Sequence, residues 1–359
     1  MSDILYNKWR PKLLEDIVGQ DDVIYVIKNI LRNKYIHNSF MISGSHGVGK
    51  TTLARILTKC INCETGITEK PCNKCYCCVS IDNFDNPDSV EVDAASNTKM
   101  DDIKIILSSS IYQPFRNRFK TYIIDECHML SVNSFNFLLK ILEDDKINNI
   151  YIFVTTNLKK VPDTIVSRCL NLELKKIEKK YLKERISLIL KCENYIFQDD
   201  ILNRLMIFSD GSLRTIINII EKIGYKRNIT ADDLNNILGL APIECVLSIM
   251  KSICDKNFNT MLNESTFLIN KTVNINNVIT QFQLLLYQMI LLKFGIKYDT
   301  NLDCTFLFKY VLKNLDTKKI QLLYECLLKA KILISLSPSV EIGFNMIVIT
   351  MFVKFHDIS

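Results

Sequence analysis

The sequence predicts an α/β nucleotide-binding domain with a P-loop sheet at its centre, followed by an all-helical remainder. Three observations predict this class. The run Gly44-Ser45-His46-Gly47-Val48-Gly49-Lys50-Thr51 fits G-x-x-x-x-G-K-[ST]. A later apolar run, Tyr122-Ile123-Ile124, ends in the paired carboxylates Asp125 and Glu126. Beyond residue 178 the strand patterns stop and only helical spacing remains.

The loop stands in the context its chemistry needs. Ser39 to Ser43 reads as a short buried strand, and Thr52 to Cys60 has the spacing of an amphipathic helix. A glycine-rich turn between a strand and a helix N-terminus makes an anion trap, because inward-pointing N–H groups and the helix dipole both favour phosphate. Gly44, Ser45, His46, Gly47, Val48, Gly49, Lys50, Thr51 and Thr52 thus enclose a phosphate chain. Lys50 reaches the β- and γ-phosphates, and the Thr51 hydroxyl holds Mg²⁺. A flexible Gly/Ser turn is the competing reading, and it leaves the flanking strand and helix unexplained.

At 359 residues, with 48% hydrophobic and 23% charged residues, the chain has material for two or three globular domains. The net charge of +6 permits an acidic partner such as nucleic acid without demanding one. Lys8-Trp9-Arg10-Pro11 interrupts any signal-peptide layout, and the apolar stretches 284–292 and 346–353 are too short to span a bilayer. Thirteen cysteines without a secretory signal point to the cytoplasm, where they are either reduced or holding metal.

Helical spacing begins at Val23 and runs to Leu31. Trp9 and Arg10, just before it, read equally well as a packed arm or as a wall on the purine side of the loop. After the P-loop helix, Cys63, Cys72, Cys75 and Cys78 are spaced C-x8-C-x2-C-x2-C, the pattern of a closed, structural four-thiolate zinc site. Cys60 and Cys77 lie in the same region, about residues 60–80, so spacing alone does not force the ligand set; the spaced four are the expected ligands. A redox C-x-x-C competes less well, since it needs two cysteines and not four.

Val90 to Asp93 reads as a strand leading through Ser96, Asn97 and Thr98 into a helix from Met100, with Asp101 and Asp102 suited to its N-terminal dipole. Lys99 beside it is either a phosphate contact or a solvated surface lysine. The strand from Phe119 delivers Asp125 to Mg²⁺ and Glu126 to the attacking water; His128 is a packing residue more than a catalyst. A helix spans Val132 to Leu142, and Ile150 to Asn157 is a third buried strand whose tip places Thr156 beside the γ-phosphate. Helical patterns follow at 180–191, 199–208, 213–223 and 231–238, the last opened by a Thr230-x-x-Asp233 capping box. Asp210-Gly211-Ser212 starts the third of them and puts Arg214 in its first turn, either as a phosphate-facing lid arginine or as an exposed one. Ala241-Pro242 reads as a linker to a last, helical packing or oligomerisation domain.

These residues together resemble the ATPase subunits of the bacterial replicative clamp loader, the gamma/tau family of DNA polymerase III. The resemblance rests on Lys8-Trp9-Arg10-Pro11, Val18-Gly19-Gln20, Gly44 to Thr51, Asn62 to Gly66, Asp93 to Ser96, Arg118 to Lys120, Ile124-Asp125-Glu126, His128 to Leu130, Ser134 to Asn136, Leu138 to Lys140, Ser167-Arg168-Cys169 and Gly211 to Arg214. It implies an AAA+ fold: a parallel αβα core with the zinc module over 1–177, a three-helix lid over 178–241 and an all-α collar over 242–359. It implies that Val18 lies near the adenine, that Lys50, Asp125, Glu126 and the sensor Thr156 serve ATP hydrolysis, and that Arg214 acts in cis while Arg168 acts on a neighbour's ATP. It also implies a pentameric ring with delta- and delta-prime-type subunits, a sliding clamp as cargo and backbone contact with primer–template DNA, and no membrane. Departures stand out. Asn97 replaces a frequent arginine, leaving Lys99 and Lys140 as candidate DNA contacts, and Leu142-Glu143-Asp144-Asp145 replaces a proline-bearing loop.

Overall fold

The computed structural model describes residues 5–96, 103–106, 109–143, 148–209, 211–224, 228–271, 274–296 and 306–357. The readings that concern Asn97, Thr98, Lys99, Met100, Asp101, Asp102, Asp144, Asp145 and Asp210 lie outside these residues.

Two compact units divide the chain, Met1–Arg227 and Asn228–Ser359. In the first, five parallel strands form one sheet: β1 (Ser39–Gly44), β2 (Ser89–Asp93), β3 (Lys120–Asp125), β4 (Asn149–Thr155) and β5 (Leu170–Leu174), in the order β2-β3-β4-β1-β5. Successive side chains alternate between its faces, as strand geometry requires. Phe40 and Ile42, Ile123, and Ile150, Ile152 and Val154 pack on one side with Ile27 of helix α2 (Asp21–Asn33) and Leu53 and Leu57 of α3 (Lys50–Asn62). Met41, Tyr122, Ile124, Tyr151 and Phe153 pack on the other side with Phe135 and Leu138 of the helix Val132–Glu143. Both faces are covered, which is why β1, β3 and β4 read as continuous apolar runs.

The fifth strand is one that periodicity leaves out. Leu170-Asn171-Leu172-Glu173-Leu174 alternates, with Leu172 and Leu174 buried against the core and Asn171 and Glu173 exposed, as befits an edge strand beside β1. A short arm, α1 (Leu5–Lys8), precedes the core. Three helices follow it: Lys179–Cys192, Asp199–Phe208 and a third, Leu213–Ile223, whose Ile216, Ile217, Ile219, Ile220 and Ile223 are buried. Burial of each such side chain contributes about 1.5–3 kcal/mol.

The second unit is all helical, with a core running from Ala241 to Phe355. The helix Ala231–Leu238, which the lid bounds 178–241 implied by the resemblance include, falls in this unit and carries the Thr230–Asp233 capping box. Ala241-Pro242 is not a linker in the structure. Ala241 is 2% exposed inside the second core, and the Gln281 amide both accepts from its N–H (2.9 Å) and donates to its carbonyl (3.1 Å). The proline instead precedes the first turn of the helix Ile243–Cys254. Among the described residues one helix, Ile275–Lys293, is long and apolar enough to cross a membrane, longer than the apolar stretch read from sequence. Its Val278, Ile279, Phe282, Leu285, Leu286 and Met289 follow helical spacing into the second unit's core.

Candidate nucleotide site and cysteine cluster

The carboxyl ends of β1, β3 and β4 meet at one edge of the sheet, the edge at which open α/β sheets hold ligands. β1 runs into the loop 44–49 and then α3; β3 ends at Asp125; β4, lying between them, carries Thr155 and Thr156 at its tip. A cavity of about 510 Å³ opens here, bordered by the loop, by the arm residues Tyr6, Trp9 and Arg10, by Ile17 and Val18, and by Leu213, Arg214 and Ile217 of the third post-core helix.

Inside it the groups are already in register. Lys50, 6% exposed, donates from Nζ to the Ser45 carbonyl at 2.9 Å; burial pulls its ammonium below the usual lysine range, against the opposing pull of Glu126 and Asp125. Thr51 Oγ1 donates to Asp125 Oδ2 at 2.7 Å, which puts a hydroxyl and a carboxylate where a divalent cation takes oxygen ligands. Burial raises the Asp125 carboxyl above its ordinary value, while Thr51 and the Glu126 N–H, 2.9 Å from Oδ1, work the other way. Glu126 sits at φ 46°, a left-handed conformation that is uncommon for a non-glycine residue and gathers at functional sites. Its Oε2 accepts from the Thr156 hydroxyl (2.9 Å) and N–H (3.3 Å), and His128 Nδ1 lies 3.3 Å from the same oxygen.

The lid seats directly on the loop. Ser212 caps its helix by accepting the Thr215 N–H at 3.2 Å, and a Cβ on Gly47 would stand 1.9 Å from the Ser212 hydroxyl. At φ +71° Gly47 supplies both the turn and the room. Arg214, one helical step further, borders the cavity and is exposed. Arg168 is elsewhere: it pairs with Glu143 at 2.8 Å and with the Thr164 carbonyl at 2.9 Å, and it does not line the cavity.

Three further residues frame the site, of which sequence reading singles out Arg10, names Gln20 only within the Val18-Gly19-Gln20 run and misses Arg55. Arg10 Nε donates to the Thr52 hydroxyl at 3.1 Å; burial, then the neighbouring Arg55, push its guanidinium below the usual arginine range. Arg55 is held bidentately by Glu91 at 2.6 and 2.7 Å. Gln20 joins the arm side to the end of β5 by a reciprocal amide pair with Lys175, 2.7 and 3.0 Å. The Lys8-Trp9-Arg10-Pro11 and Val18-Gly19-Gln20 runs signal two of them, and nothing in the sequence signals Arg55.

The sulfurs of Cys63, Cys72, Cys75 and Cys78 all lie within 4.8 Å of one another, a cluster that can bind a metal. A tetrahedral site with metal–sulfur bonds of about 2.3 Å has edges of about 3.8 Å, so the four need to draw in only slightly. Backbone N–H groups of Cys72, Cys75 and Cys78 point at sulfurs of the set (3.3 to 3.4 Å), the kind of donor that supports thiolate ligands. Cys60 and Cys77 are outside this group; Cys60 Sγ faces the Glu69 carbonyl at 3.9 Å. A fully buried lysine, Lys59, ties the cluster to the P-loop helix through Asn73 (2.9 Å) and Asp82 (3.0 Å).

The five-stranded parallel sheet, the phosphate loop and the Asp-Glu strand two places away define the class: a P-loop ATPase of the AAA+ type. Residues 19–178 match the family model for DNA polymerase III, delta subunit, and residues 229–356 match that for domain III of DNA polymerase III subunits gamma and tau. DNA polymerase III subunit gamma of Buchnera aphidicola subsp. Baizongia pistaciae is 36% identical over 97% of this chain and 96% of that one. The subunit tau/gamma of Haemophilus influenzae is 32% identical over 96% of this chain and 50% of its own length. The chain belongs to the DNA polymerase III gamma/tau family. Among solved structures, a Thermotoga maritima RuvB chain aligns over 68% of this chain and 79% of its own at 21% identity and a TM-score of 0.48, too slight a likeness to bear on function.

Proposed function

We propose that this chain is the ATPase subunit of a bacterial replicative clamp loader and uses ATP binding and hydrolysis to place a sliding clamp on primed DNA. The observation that carries the reading is the convergence of Lys50, the Thr51–Asp125 pair, the Glu126–Thr156 pair and the Arg214 helix on one cavity.

The residues divide the work. Backbone N–H groups of Gly44, Ser45, His46, Gly47, Val48 and Gly49 and the Thr52 side hold the phosphates, and Val18 lies on the adenine side. Lys50 exchanges the Ser45 carbonyl for phosphate oxygens. Thr51 and Asp125 hold Mg²⁺, which offsets the triphosphate charge. Glu126 orients the attacking water, and Thr156 keeps that carboxylate at the γ-phosphate end. Arg214 brings the lid onto the nucleotide, while Arg168, outside its own cavity, reaches a neighbour's. Arginines supplied this way raise turnover by about 10³–10⁵ in other nucleotide hydrolases. Cys63, Cys72, Cys75 and Cys78 hold a structural Zn²⁺. The chain works in the cytoplasm in a pentameric ring with delta- and delta-prime-type subunits, and it meets primer–template DNA by the phosphate backbone, with Lys140 as a candidate contact.

The test is ATP turnover by the chain assembled with its delta-type partners, with and without clamp and primed DNA. Turnover that rises sharply when both are added supports clamp loading. Turnover indifferent to them leaves an ATPase of another task and ends this reading.

A further inference from the structure

The N-terminal arm is fastened to the lid by contacts that the nucleotide machinery described above does not use. The Leu5 N–H donates to Glu221 at 3.0 Å, at the far end of the Arg214 helix. Lys8 and the Trp9 indole both meet the Glu193 carboxylate at 2.7 Å, at the end of the first lid helix. Between these anchors the Tyr6 ring carries two guanidiniums, Arg10 at 5.5 Å and Arg214 at 5.0 Å from its centroid. All three side chains border the cavity.

Two like charges gathered on one ring need a reason. Among the described residues neither Arg10 nor Arg214 forms an ion pair, whereas Arg55 beside them is satisfied by Glu91. Arg10 instead bonds the Thr52 hydroxyl, at the start of the helix whose N-terminus faces the phosphates. An aromatic face attracts each cation, and an anion entering the cavity relieves their mutual repulsion.

We propose that Tyr6 is a positioning residue for nucleotide recognition: its ring holds Arg10 and the lid arginine Arg214 together at the cavity, so that arm and lid answer a triphosphate as one body. The proposal rests on the ATPase reading above. It implies that the arm, and not the lid alone, sets the preference for ATP over ADP, because the arginine it steadies faces the phosphate end.

The experiment titrates the full chain, with Mg²⁺, against fluorescent analogues of ATP and of ADP. Tyr6→Leu removes the ring and is expected to weaken the ATP analogue about fivefold, with a smaller loss for the ADP analogue. Tyr6→Phe keeps the ring and is expected to restore affinity. In an Arg214→Ala background Tyr6→Leu is expected to add little, since the two arginines that the ring holds together are no longer both present. Glu221→Ala removes the acceptor of the Leu5 N–H while leaving the ring in place, and a partial loss is expected. Unchanged affinity in Tyr6→Leu, or an equal loss with and without Arg214, overturns the proposal. Failure of the unaltered chain to bind, or binding indifferent to Lys50→Ala, overturns the ATPase reading itself, and the two failures are thereby distinct.

Discussion

Gly47 is where a single hydrogen decides the site. A Cβ there would fall 1.9 Å from the Ser212 hydroxyl, whereas one on Gly49 meets nothing within 4 Å. Both positions have positive φ, so alanine is strained at either. Only at Gly47 does it also push the capped lid helix off the loop. Gly47→Ala should therefore weaken ATP binding more than tenfold, and Gly49→Ala distinctly less, in the same equilibrium titration. Glu126 separates binding from chemistry. Its side chain bonds Thr156 and lies beside His128, and it makes no hydrogen bond to Lys50 or Thr51, so Glu126→Gln should bind ATP nearly as well while single-turnover hydrolysis falls about 10²–10⁴-fold, the range for losing a general base. Normal hydrolysis in that variant would remove Glu126 from the mechanism.

At the scale of elements, the P-loop helix α3 serves two sites: its first turn faces phosphate and its last leads into the cysteine cluster, with Lys59 reaching from it to Asn73 and Asp82. Thiol chemistry tests the cluster. Burial, chiefly, pushes the Cys60 thiol up to about 12 and Cys169 up to about 11, so at pH 8 neither holds an appreciable thiolate, the reactive form. Exposed Cys192 should be alkylated under those conditions, and raising the pH toward 11 in the folded chain should bring in Cys169 before Cys60. With zinc in place, Cys63, Cys72, Cys75 and Cys78 should resist alkylation until a chelator is added; as the melting temperature drops, Cys72, pulled down to about 6 by the Lys74 and Cys75 N–H groups, should react first, and Cys78, pushed up by burial, last. Mass spectrometry counts the labels, and metal retained after Cys72→Ser and Cys75→Ser but lost with Cys77→Ser would reassign the ligands.

What could be read in advance divides along the same line. The loop, its strand and helix, and the spaced cysteines are local patterns, each complete within a short stretch of chain, so sequence shows them. Leu170–Leu174 was invisible because five alternating residues at a sheet edge carry too little signal beside longer helical patterns. Ala241-Pro242 looked like a boundary because proline breaks a helix; burial of Ala241, which sequence does not display, keeps it within one core. The Tyr6–Arg214 and Gly47–Ser212 contacts join residues far apart in the chain, and no period or motif records such a meeting.

For the whole molecule the proposal to test is that Arg168, which lies outside its own cavity, serves a neighbour's. Arg168 is 41% exposed and tied to Glu143, itself 57% exposed, a surface pair worth about 0–1 kcal/mol and so easily exchanged for another anion. If it completes a neighbour's site, two inactive chains should repair each other. Lys50→Ala keeps its arginine but loses its own phosphate ligand; Arg168→Ala keeps its binding site but lacks an arginine to lend. Each alone, assembled with delta-type partners, should show turnover reduced at least about a hundredfold, while Arg168→Ala as an isolated chain should bind ATP as the unaltered chain does. Mixed before assembly, they should place an intact site beside an intact arginine at a fraction of interfaces, and turnover should rise well above the sum of the separate assemblies. An arginine acting within its own chain predicts no such rise, because no chain in the mixture holds both groups.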